Sequence, residues 1–144
     1  MNLYVDSCVY IDFLGIPKSK FDEIMSNKAS KFFSYLLSTK HKLLLSGWVL
    51  KEINKVLNTQ NITLDSLKPF FVIYDKMIVD VKYTEEDKQK AITRSKDNFD
   101  DVLHIVLAEK ANADYIITQN VIHFKKLNCK IPLLRPEEFI SQSL

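Results

Sequence analysis

Oxygen-bearing side chains recur along this 144-residue chain where they could act together: Asp6, Glu52, the pair Asp100 and Asp101, and Thr118-Gln119-Asn120. Carboxylate and amide oxygens are the donors a hard cation such as Mg2+ or Mn2+ takes. Such an ion is bound through a few carboxylates, with water and substrate phosphate completing its shell. Gathered carboxylates also call for neutralisation, because like charges pushed together raise one another's pKa. A metal supplies that charge and, with it, hydrolysis: it makes hydroxide from water and shields a phosphate. Taken singly, each residue has a plainer use. Asp6 is placed to cap a first helix, Glu52 is an acid on a helix, Asp100 and Asp101 suit the positive end of a helix dipole, and Asn120 suits a turn. Glu52 nevertheless adjoins an apolar face drawn by Val49, Ile53 and Val56, so an acid there asks for a partner.

Whether these groups meet depends on the elements that carry them. Leu3-Tyr4-Val5 reads as a buried strand ending at Asp6, and Ser7 is placed to cap a short helix, Val9 to Leu14, stopped by Gly15 and Pro17. Phe21 to Leu37 has helical periodicity, with Phe21, Ile24, Met25, Phe32 and Leu36 on one face. Leu43-Leu44-Leu45 is a second buried strand, and Ser46 caps a helix running through Leu57. Thr63 to Tyr74 reads as helix interrupted at Pro69, and Met77 to Val81 as strand. Thr84-Glu85-Glu86-Asp87 has the capping-box pattern and opens a polar helix to about Ser95. A helix from Phe99 to Ala111 follows, then a strand at Tyr115 to Thr118, a short helix from Val121 to Leu127, a strand at Ile131 to Leu134 and a final helical turn from Pro136. Short apolar strands alternating with longer helices imply a three-layer α/β/α fold around a central, mostly parallel sheet, with 1–144 as a single domain. In such sheets ligands bind beyond the carboxyl ends of the strands. Asp6, Glu52 and Asn120 all follow strands, and Asp100 and Asp101 open the helix that feeds the third convincing one.

Composition narrows the class. The chain is 47% hydrophobic with 9 Phe, 6 Tyr and 1 Trp, so it is not disordered, and 2 Gly and 4 Pro exclude collagen-like or linker-like chains. Two cysteines, Cys8 and Cys129, make neither a disulfide scaffold nor an all-Cys zinc site and read as small core residues. There is no run long enough for a membrane span and no signal-peptide pattern, so a cytoplasmic protein without membrane contact is expected. The net charge is only +2, but Lys18, Lys20, Lys28, Lys31, Lys40 and Lys42 share a segment whose only acids are Asp22 and Glu23. Lys125, Lys126 and Lys130 form a second cluster. Both suit solvated helix faces and are compatible with a phosphate-binding surface. Ser7 and Thr118 have hydroxyls that can support the acids or serve only their local turns. His104 reads as a core histidine and His123 as a surface one.

Several segments in order resemble the PIN domain, and within it the toxin ribonucleases of the VapC type. They are Tyr4-Val5-Asp6-Ser7 with its apolar helix, Ser46-Gly47-Trp48-Val49-Leu50-Lys51-Glu52-Ile53, Asp101 standing seven before Ala108, and Ala113 to Phe124, with Ile131 to Phe139 closing the chain. The resemblance implies a Mg2+- or Mn2+-dependent endoribonuclease, with catalytic residues Asp6, Glu52, Asp101 and Asn120. Asp6 and Asp101 hold the metal, Ser7 and Thr118 support them, and Lys125 and Lys126 contact RNA. It further implies the toxin role, a cognate antitoxin partner and a homodimer. Asn120 departs from the Asp that many members carry and adds no charge, which leaves a catalytically weak RNA- or protein-binding module as the alternative.

Overall fold

A computed structural model of the chain describes residues 1–143. Five strands, β1 (Asn2–Val5), β2 (Lys42–Ser46), β3 (Ile78–Val81), β4 (Tyr115–Ile117) and β5 (Leu133–Leu134), form one sheet in the order β3-β2-β1-β4-β5. Every pairing is parallel. The helices are α1 (Ser7–Leu14), α2 (Lys20–Leu36), α3 (Gly47–Asn58), α4 (Lys68–Tyr74), α5 (Glu85–Arg94), α6 (Phe99–Lys110), α7 (Val121–Lys126) and α8 (Pro136–Ser143). This is the α/β/α arrangement expected from the sequence, with a sheet that is wholly parallel. Its central strands are apolar on both faces: Leu3, Tyr4, Val5, Leu43, Leu44, Ile116 and Ile117 are all buried.

The strand order decides where a site can form. From β1 the chain moves outward through β2 to β3, then returns to the other side of β1 for β4 and β5. The direction therefore reverses between β1 and β4, the point at which parallel sheets of this kind bind ligands, beyond the carboxyl ends of the strands. The register sets Val5 beside Ile117 and Tyr4 beside Leu44, so Asp6, Thr118 and the end of β2 converge at this edge.

Helix packing fixes the approach to that edge. Helix α1 packs on α2 and α3, α2 on α8, and α5 on α6. An aromatic cluster ties α1, α2 and α4 together: Phe13 stacks on Phe33 at 4.7 Å between ring centres, Phe70 stacks on Tyr74 at 4.6 Å, and Tyr10 meets Phe33 at 5.2 Å. On the other flank, the Thr84–Asp87 capping box begins α5 as its sequence requires. The same Asp87 carboxylate takes a 2.8 Å hydrogen bond from Lys110 at the end of α6.

Several local expectations are corrected. Ser7 is the first helical residue of α1, and the capping position belongs to Asp6, whose side chain makes no capping bond. Pro69 does not interrupt a helix. A 3₁₀ turn over Leu64–Leu67 comes first, and the proline sits in the opening turn of α4, where its missing N–H costs nothing. Phe21 and Ile24 lie outside the core, since α2 buries Ala29, Phe32, Phe33 and Leu36, the part that reaches the sheet. The final turn extends into the eight-residue helix α8. No helix among the described residues is long and apolar enough to cross a membrane.

Candidate active site

Asp6 follows β1 directly. Its N–H donates to Ile117 O at 2.9 Å, which joins the end of β1 to the end of β4, and its carboxyl is only 4% exposed. Because the side chain does not cap α1, it is free to face its neighbours. Thr118 Oγ1 donates to Asp6 Oδ2 at 2.8 Å, and the Cys8 thiol donates to the same oxygen at 3.2 Å. Thr118 in turn accepts the Asn120 N–H at 3.0 Å, so one hydroxyl organises both the carboxylate and the start of α7.

Glu52 reaches this group from α3, a helix held by Ser46, whose Oγ accepts the Val49 N–H at 3.1 Å. The Ser7 hydroxyl donates to Glu52 Oε1 at 3.0 Å and lies 3.4 Å from Asp6 Oδ1, which bridges the two acids. His104 Nε2 lies 2.5 Å from Glu52 Oε1 and 3.9 Å from Asp6 Oδ1. Asp101, one turn earlier on α6, pairs with His123 Nε2 of α7 at 2.8 Å. Asp100 is exposed, so the two neighbouring acids are sorted by helix rotation: one faces the site and the other faces solvent.

The charges are coupled. Burial and the nearby charge of Asp6 push the Asp101 carboxyl above its ordinary value, against the opposing pull of His104 and His123. Burial would raise Glu52 too, but hydrogen bonds from His104 and Ser7 and the charges of His104 and Lys55 outweigh it and hold Glu52 below its usual value. Burial favours neutral His104, yet the Glu52 hydrogen bond and the charges of Asp6, Glu52 and Asp101 lift its pKa. Burial, with the Asp6 charge, pushes the Cys8 thiol well up.

Asp6, Ser7, Glu52 and Thr118 therefore form one connected network, with Asp101 joined to it electrostatically. Asn120 enters through its backbone N–H and is exposed, as are Lys125 and Lys126 on α7. Three residues gain a place beyond their plain sequence reading: Cys8 against Asp6, His123 on Asp101, and His104 among all three acids. For His104 the signal is its spacing of three from Asp101, which puts both on one helix face.

Hard oxygen donors on two coupled carboxylates suit a divalent cation that keeps part of its water shell. Among the described residues no three His, Cys, Asp or Glu side chains converge tightly enough to cage a metal alone. The donor set thus fits an ion whose shell is completed largely by water and substrate.

The sequence matches the family model described as the PIN domain over residues 2–122. No curated protein matches it significantly. Among solved structures, the fold resembles Mycobacterium tuberculosis VapC20, a sarcin-ricin loop cleaving toxin, with a TM-score of 0.59 and 13% identity. That match covers 79% of this chain and 86% of VapC20. It also resembles FitAB bound to an IR36 DNA fragment, with a TM-score of 0.58 and 11% identity over 94% of this chain and 95% of the other. At these identities the likeness is one of fold.

Proposed function

This chain belongs to the PIN-domain family, and from that premise we propose that it is a Mg2+- or Mn2+-dependent endoribonuclease, the toxin of a toxin–antitoxin pair. PIN domains are a nuclease family, and the two similar structures, a toxin and a DNA-bound complex, support the narrower role. The observation that carries the chemistry is Asp6, buried at the reversal of strand order and electrically coupled to Asp101.

In this proposal Asp6 and Asp101 hold the cation, which when bound activates water and stabilises charge on the phosphate. Thr118 fixes Asp6 by its 2.8 Å hydrogen bond and prevents the carboxylate from turning back onto α1. Glu52 stays ionised at neutral pH and accepts a hydrogen bond from the attacking water, orienting it in line with the scissile bond. Ser7 sets the spacing between Glu52 and Asp6. Asn120 flanks the site from the turn before α7, and Lys125 and Lys126 beside it carry the RNA backbone. A cytoplasmic homodimer with a cognate antitoxin completes the proposal.

The test is cleavage of RNA in Mn2+ or Mg2+. Asp6→Ala and Asp101→Ala should each abolish it, and Asp100→Ala should leave it intact. Loss with Asp100→Ala and survival with Asp101→Ala would overturn the assignment on α6. One observation favours a second reading, a catalytically weak RNA- or protein-binding module: Asn120 brings no charge. RNA binding by wild-type protein without metal-dependent cleavage would establish that reading.

A further inference from the structure

The metal chemistry above leaves His104 unused, although it is buried beside the acids, at 1% exposure. Both ring nitrogens are engaged. Nδ1 lies 2.8 Å from the Tyr4 hydroxyl, which lies 2.9 Å from Ser46 Oγ. Nε2 meets Glu52. The chain Ser46–Tyr4–His104–Glu52 thus crosses from the end of β2, through the central strand, to α6 and on to α3.

Counting hydrogens fixes the direction at the Glu52 end. An ionised carboxylate only accepts, so Nε2 must carry a hydrogen whether or not the ring is charged. In the neutral ring Nδ1 accepts from Tyr4 and the Ser46 hydroxyl donates to Tyr4; in the charged ring Nδ1 donates to Tyr4, which donates to Ser46; either way each hydrogen between neighbours along this chain has an acceptor. Stability alone does not call for this arrangement. A phenylalanine fills the volume of Tyr4, and apolar residues replace buried polar networks without loss of stability when every partner goes. What the chain does is hold Glu52. That side chain is 28% exposed, and a free glutamate samples many rotamers.

We propose that His104 is a positioning residue, which the Ser46–Tyr4 chain locks in place so that its Nε2–H fixes the Glu52 carboxylate beside Asp6. The role rests on the nuclease reading. It predicts that catalysis depends on a tyrosine hydroxyl and an imidazole that never touch RNA or metal.

The experiment compares Tyr4→Phe, His104→Leu and His104→Gln with wild type in RNA cleavage with Mn2+, each checked for folding by thermal melting. His104→Leu should lower kcat by about tenfold or more, with KM for RNA within about twofold. Tyr4→Phe should lower kcat in the same direction by less. His104→Gln, whose amide N–H can still donate to Glu52, should recover part of the loss. If His104→Leu does not fold, Tyr4→Phe decides. Ring 15N spectra of wild-type protein should show Nε2 bearing a proton, with a resonance displaced in Tyr4→Phe. Unchanged kcat in folded Tyr4→Phe, no advantage of Gln over Leu, or an unprotonated Nε2 overturns the role. Wild-type protein inert toward RNA overturns the nuclease reading and the role together, whereas active wild type with indifferent variants overturns the role alone.

Discussion

In the proposed site Asn120 flanks the acids, and its side chain is exposed. Asn120→Asp should move the metal dependence of cleavage to lower concentration, because an ionised oxygen binds a hard cation better than an amide does. Metal titrations of the two proteins check this, and identical curves would assign Asn120 to the turn alone. Asp12, near the far end of α1, carries a different prediction. Burial, with Asp22 and Asp6 nearby, raises its pKa to about 6. An acid raised on folding gives full stability below its unfolded value, and that stability is lost as pH rises through about 6. Asp12→Asn should therefore stabilise the protein at pH 7.5 and not at pH 4. The gain should be about 1 kcal/mol, once the half-exposure of the group is allowed for. Urea melts at the two pH values test it. That Asp6, Glu52 and Asp101 would come near one another was legible from strand ends and spacing. For His104 only its spacing of three from Asp101 pointed to the acids, because a buried histidine looks the same in sequence whether it fills space or holds a carboxylate.

The pair α5 and α6 rests on a single carboxylate with two duties. Asp87 closes the capping box with Thr84 and takes the Lys110 ammonium, and these hydrogen bonds and the lysine charge hold it below the ordinary carboxylate value despite burial. Its contribution is then fully present above the unfolded value and lost as pH falls through the lower folded one. Asp87→Ala should cost about 1–3 kcal/mol at neutral pH, with the difference fading in acid, as denaturant melts would show. The capping box was readable from Thr84 and Asp87 alone, while its bond to Lys110, 23 residues on, depends on tertiary packing. The helix ends tell a similar story. Asn61, Asn112 and Asn128 follow α3, α6 and α7 with φ near +60°, so in a chain with two glycines asparagine takes the left-handed position. Asn112→Ala should lose about 1 kcal/mol by thermal melting, the penalty of a Cβ without asparagine's local hydrogen bonding. On α2 the apolar spacing ran past the core, because periodicity marks a face without saying where the sheet beneath it stops.

For the molecule as a whole, the proposed metal is also a fold stabiliser. Asp6 and Asp101 repel, so Mn2+ should raise the melting temperature, by about 1.4 kcal/mol of stability when the ion is tenfold above its Kd. The rise should vanish in Asp6→Asn, and an equal rise in that variant would place the ion elsewhere. The alternation of strands and helices made the layered architecture readable. The strand order was not, because nothing local in Tyr115 to Ile117 says which side of β1 it joins. That order has a consequence for how the protein is made. Thr118, which holds the Asp6 carboxylate, is synthesised 112 positions after it. At roughly 5–20 residues per second, synthesis needs about 6–20 s to cover that distance, and β1 lacks its neighbour β4 throughout. The growing chain therefore carries its acids unassembled, and the site closes only once β4 and Thr118 have been made.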